Sequence, residues 1–120
     1  MRKSTSTNYL NEKALAAHCG VTFAMTLLTG RWKLNILWML KNGVNRYGLM
    51  KNQIAGISEK MLTQRLKELE EEGLIVRNDF KTVPPRVEYS LTEAGQLLVP
   101  ILDQLSDWGD TVRPLMKEHR

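Results

Sequence analysis

Between Ser58 and Gly73 the chain carries Lys60, Thr63, Gln64 and Lys67 at spacings that place them on one side of a helix. These residue types suit the edges and phosphates of nucleic acid. Lysine matches the acceptors of guanine, glutamine can pair adenine through two bonds, and the threonine methyl can meet that of thymine. The opposite side is Leu62, Leu66, Leu69 and Gly73, so one face packs and the other offers donors. Arg65 lies closer to the packed side, where a phosphate contact or a structural ion pair is expected. The alternative for the polar face is a solvated surface. A second reactive group is Cys19, the one cysteine, which cannot close an intramolecular disulfide. It stands beside His18 just before a predicted helix N-terminus, a setting that lowers a thiol pKa. It reads either as a sensing thiol or as a small buried hydrophobe.

The helix that presents the polar face has marked ends. Ser58 is a suitable N-cap that can also turn the first amides toward a phosphate, Glu59 faces the positive end of the dipole, and Gly73 can adopt the left-handed terminating conformation. Upstream, Arg46–Gln53 predicts a short helix bordered by Arg46 and Lys51, and Gly56 lies in the link, which completes a helix-turn-helix pattern. Downstream, 74–81 and 86–91 predict a hairpin around Thr82-Val83-Pro84-Pro85, a wing. Lys81 and Arg86 flank its turn with no acid between them, and Arg77 lies on the strand below. These three are candidate phosphate or minor-groove contacts.

The rest of the chain must hold that unit. Residues 1–8 are polar and expected to be disordered, and 9–120 are expected to form one domain, with helix-turn-helix at about 47–73, wing at about 74–91 and dimerisation helices at about 9–18 and 92–117. Thr22 is expected to cap a short helix, Phe23–Thr29, and residues 31–42 to form a nearly all-round apolar and most buried helix. After Thr92, a further capping residue, Leu98, Ile101, Leu105, Trp108, Val112 and Leu115 recur at steps of three and four. That seam suits a dimer interface or, alternatively, a helix lying on its own core. Pro100 requires a kink or a fresh helix beginning nearby. Trp32 and Trp108 read as core or seam.

The net charge is +4 with a pI of about 9.4, compatible with a polyanionic partner. Residues 1–50 hold seven Lys and Arg against one acid, whereas 91–120 hold three against five, so the tail is not the nucleic-acid face. No apolar run spans a membrane and no signal peptide is evident, so a cytoplasmic location without membrane association is expected. With two histidines, no metal-ligand cluster, no phosphate loop and no nucleophile–base pair, neither a cofactor nor an enzyme is expected.

The order of residues resembles the HxlR-type transcription regulators, a winged helix-turn-helix family with a MarR-like fold. The resemblance covers about 19–110 and rests on Cys19-x-Val21, Gly30-Arg31-Trp32-Lys33 with Ile36-Leu37, Gly56-Ile57-Ser58-x-Lys60-Met61-Leu62-Thr63-x-Arg65-Leu66, Leu69-Glu70-x-x-Gly73-Leu74-Ile75, Thr82-Val83-Pro84-Pro85-x-Val87-x-Tyr89-x-Leu91-Thr92 and Asp107-Trp108-Gly109. It implies an α+β, mainly α winged helix with N- and C-terminal dimerisation helices, and a homodimeric regulator, more often a repressor, on a near-palindromic double-stranded DNA operator. Several members sense electrophiles or oxidants through the cysteine at the Cys19 position. They commonly carry Cys-Pro-Val, and here Gly20 replaces the proline, which loosens the backbone at the thiol. A small-ligand effector without a thiol switch, and a winged-helix protein-interaction module, are the alternatives.

Overall fold

The structure, a computed structural model, describes residues 19–118. The helix expected at 9–18 lies outside the described residues. The chain divides into two units between Arg31 and Trp32. The described part of the first holds one helix, α1 (Gly20–Leu28), in which no residue is buried. It begins earlier than the Thr22 cap predicts, because Cys19 takes the extended N-cap conformation and Thr22 falls inside the first turn. Its last turn closes with the Thr29 amide on the Met25 carbonyl at 2.9 Å.

The second unit contains α2 (Lys33–Lys41), α3 (Tyr47–Gln53), α4 (Glu59–Glu71), β1 (Ile75–Asp79), β2 (Val87–Leu91), α5 (Glu93–Leu97) and α6 (Val99–Glu118). Helix α2 starts two residues later than expected because Trp32 sits in the left-handed region at φ 81°. Its buried residues are Ile36, Leu37, Leu40 and, against the apolar expectation, Lys33. Met50 on α3, Ile54 and Ile57 in the turn, and Leu62, Leu66 and Leu69 on α4 complete one side of the core. Leu74, Ile75 and Leu102 close it. Full burial of each such side chain contributes about 2 kcal/mol, so the three leucines of α4 fix that helix by one face alone.

The wing is an antiparallel hairpin in which Ile75 pairs Leu91, Arg77 pairs Tyr89 and Asp79 pairs Val87. The Phe80 amide extends it onto the Arg86 carbonyl at 3.0 Å. Beyond β2, the Thr92 hydroxyl donates to the Gly73 carbonyl at 2.6 Å and accepts from the Gly95 amide at 3.2 Å. One side chain thereby joins the end of α4 to the start of α5. The break between α5 and α6 at Leu98 leaves Pro100 in the first turn of α6, where its missing N–H costs nothing.

Candidate nucleic-acid interface

Helix α4 begins with the Ser58 hydroxyl accepting from the Met61 amide at 3.0 Å, the capping geometry its sequence predicts. With Leu62, Leu66 and Leu69 turned inward, Lys60, Thr63, Gln64 and Lys67 stand exposed together. Tyr47, at the start of α3, was not among the sequence candidates. Its hydroxyl donates to the Glu59 carbonyl at 3.0 Å and lies 3.1 Å from Thr63 Oγ1, pinning the first helix of the motif to the outer face of the second. A tyrosine in a polar helix carries no local signal of that role, since its partners are 12 and 16 residues on. Arg46 is exposed at the N-cap of α3 and Lys51 lies in its last turn.

A cleft bounded by Thr63, Leu66, Lys67 and Glu70 on α4 and by Arg77 and Tyr89 on the hairpin joins the polar helix face to the wing. Arg77 and Lys67 therefore line the same cleft from two elements. The two wing arginines are less available than the sequence suggests. Arg86 donates to Glu88 at 2.8 Å and lies 4.2 Å over the Phe80 ring, and Arg77 has Asp79 at 4.0 Å. No acid lies between Lys81 and Arg86, but acids just outside them take up the arginine. Lys81, at φ 54°, uses its amide to hold Asp79 Oδ1 at 2.9 Å and leaves its ammonium group outside any ion pair among the described residues.

Arg65 is an ion-pair residue, its Nη1 2.6 Å from Glu68 Oε1. Glu68 also lies 3.6 Å from Lys33 Nζ, which donates to Glu72 Oε1 at 2.7 Å. Desolvation works against the Glu68 carboxylate, yet the bond and charge of Arg65, the Lys33 ammonium and a bond from Gln64 outweigh it and hold its pKa below the ordinary value. Glu68 and Glu72 are thus turned toward the lysine that opens α2, whereas Glu70 and Glu71 stay exposed and Glu70 lines the cleft beside Lys67.

Cys19 is half-buried at the N-cap of α1. No amide closes a full capping bond on its side chain. Even so, the Thr22 amide foremost, then the Thr22 hydroxyl and the Val21 amide, lower its thiol pKa against a smaller opposing effect of burial. Among the described residues there is no cluster able to hold a metal ion, and no helix is long and apolar enough to cross a membrane.

A capped helix with one buried and one donor-bearing face, preceded by a short helix and followed by a two-stranded wing, defines a winged helix-turn-helix transcription regulator. The model of the HxlR-like helix-turn-helix family matches residues 27–117, and the chain belongs to that family. A protein of Fusobacterium mortiferum described as the regulatory protein MalR is 45% identical over 92 residues, 76% of this chain and 87% of the other. The redox regulator HypR in its reduced form superposes with a TM-score of 0.75 at 34% identity, over 82% of this chain and 97% of the other. The reduced transcriptional regulator YodB of Bacillus subtilis gives 0.66 at 34% identity, over 79% and 94%. The matched family span begins after Cys19.

Proposed function

We propose that this regulator is a homodimeric repressor that binds a near-palindromic operator, placing α4 of each subunit in successive major grooves. The observation that carries the reading is the exposed set Lys60, Thr63, Gln64 and Lys67 on a helix whose other face is fully buried. Gln64 and Thr63 read base edges. Lys60, Lys67, Arg46, Lys51, Lys81 and Arg77 answer phosphates, and the Ser58 end of α4 meets one through its first amides. Arg65 serves the fold, and Arg86 reaches DNA only from its seat on Phe80. Pairing through α6 is supported by its uncovered apolar stripe, and repression is the sign the family resemblance favours.

Release of the operator on thiol oxidation through Cys19 is supported by the lowered pKa and by the likeness to HypR and YodB, which are solved in reduced and in oxidized or diamide-treated forms. A second reading, a small-ligand effector, is favoured by a groove between α2 and α6 lined by Leu34, Asn35, Trp38, Leu102, Leu105 and Ser106. The test is selection from random duplexes at about 0.15 M salt, before and after diamide. Palindromic sequences bound by the reduced protein and lost on oxidation, with Cys19→Ser insensitive to diamide, support the whole reading. Oxidation without effect removes the thiol switch and leaves the ligand groove. No enrichment removes DNA binding.

A further inference from the structure

Three oxygens meet where the first helix of the motif touches the second. The Tyr47 hydroxyl lies 3.0 Å from the Glu59 carbonyl and 3.1 Å from the Thr63 hydroxyl. Their hydrogens follow by counting. A carbonyl only accepts, so the single phenolic hydrogen of Tyr47 is committed to Glu59. The contact with Thr63 is then made by the threonine's hydrogen, with the Tyr47 oxygen accepting. Both bonds form only in this arrangement, because turning the Tyr47 hydrogen toward Thr63 forfeits the one to Glu59. Tyr47 is half-buried, whereas Thr63 is exposed among Lys60, Gln64 and Lys67. The threonine hydroxyl therefore stands on the donor-bearing face with lone pairs to offer and its hydrogen already engaged.

We propose that Tyr47 sets the base specificity of Thr63, making its hydroxyl an acceptor that reads the amino group of adenine or cytosine in the major groove. The inference rests on the reading of α4 as the operator-binding helix. A threonine hydroxyl with its hydrogen free suits any base, since it donates as readily as it accepts. With that hydrogen held by Tyr47, guanine N7 and O6, thymine O4 and the phosphate oxygens, all of them acceptors, gain no bond from it. Adenine N6 and cytosine N4 are the donors that groove presents. To serve an acceptor edge instead, Thr63 must break its bond to Tyr47 and leave a half-buried oxygen without its donor. Lys60 and Lys67 beside it are donors only, so Thr63 brings to the face what the lysines lack. Tyr47 acts through Thr63 and is a positioning residue.

The test uses the full chain and the duplexes it enriches from a random pool. Thr63→Val keeps the side chain's shape and removes the hydroxyl, so the position whose preference it relaxes is the base that Thr63 faces. In the parent that base should be adenine or cytosine. Replacing it with purine or 2-pyrimidinone, which lack only the amino group, should weaken binding about fivefold in the parent and less than about twofold in Thr63→Val. Comparing the two proteins cancels any weakening of the duplex itself. Tyr47→Phe removes the oxygen that engages the threonine's hydrogen. It should admit guanine and thymine at that one position to within about twofold, with every other position and the circular dichroism unchanged. Five results would each overturn the proposal while operator binding stands: no position relaxed in Thr63→Val, guanine or thymine preferred there, no loss without the amino group, an unchanged preference in Tyr47→Phe, or a loss in that variant shared by all duplexes alike. A pool with no enriched duplex would overturn operator binding itself and this proposal with it.

Discussion

Lys33 is 2% exposed, and its ammonium group is neutralised by Glu72 at 2.7 Å and Glu68 at 3.6 Å. A buried cation of this kind holds the start of α2 to the end of α4. Breaking such a pair costs more than the pair contributes, since the surviving partner keeps its desolvation without its counterion. Lys33→Met should therefore lower stability by about 2–3 kcal/mol in urea unfolding, less than the roughly 3–5 of a fully enclosed pair because the Glu72 side chain is 25% exposed. Restoring an apolar match with Lys33→Met plus Glu72→Leu should recover most of it. An additive double variant would show that the two residues do not act as a pair. Glu68 adds a pH dependence of defined sign. Its pKa in the folded chain lies below the ordinary glutamate value of 4.5, so its contribution is fully present above about 4.5 and is lost as pH falls through the folded value. The urea midpoint should drop with acidification below that point, and Glu68→Gln should flatten this part of the curve.

At the level of elements, the joint between α4, the wing and α5 is closed around Gly95. A Cβ built there would lie 2.4 Å from the Leu74 carbonyl oxygen and 3.1 Å from Leu91 Cδ2. The carbonyl belongs to backbone that also accepts from the Thr92 amide at 3.1 Å, so it has little room to move. Gly95→Ala should cost about 2 kcal/mol or more, a fall of several degrees in Tm by differential scanning calorimetry. An unchanged Tm would mean that α5 can withdraw freely from the hairpin. This joint also shows what was legible in the sequence. The Ser58 and Thr92 caps, the Gly73 stop and the restart of helix near Pro100 depend on residues within a turn of one another, and local spacing exposes them. Lys33 with Glu72, 39 residues on, Tyr47 with Thr63, and Gly95 against Leu74 are tertiary meetings with no periodic signal. The same distinction explains the helix starts. Trp32 falls on the helical spacing of Ile36, Met39 and Leu40, but its backbone is left-handed at φ 81° and its ring lies near Gly56, a tertiary placement with no local signal. For the candidate interface, the polar helix face and the structural ion pair of Arg65 could be read from spacing along α4, whereas the diversion of Arg86 onto Glu88 and Phe80 could not.

At the scale of the whole molecule, α6 is a helix of 20 residues that commits only part of its circumference to its own unit. Leu102 faces α2 and is buried, while Ile101, Leu105, Trp108 and Leu115 remain exposed, Trp108 by 61%. An apolar stripe of this length, about 21 Å along the axis from Ile101 to Leu115, is a costly surface to leave in water, which supports the proposed two-fold pairing. In the proposed dimer, the two recognition helices would engage half-sites about 34 Å apart, which makes the second engagement intramolecular. Trp108→Glu places a charge in the middle of the stripe without disturbing the core. Its circular dichroism should be unchanged, its sedimentation should shift from dimer to monomer, and its affinity for a two-half-site operator should fall by about a hundredfold or more while binding to an isolated half-site stays within a few-fold of the parent. If the variant remains a dimer, the stripe is not the pairing surface. If it becomes a monomer with operator affinity intact, each subunit reads its half-site independently, and reorienting one subunit against the other could not be the means by which Cys19 releases DNA.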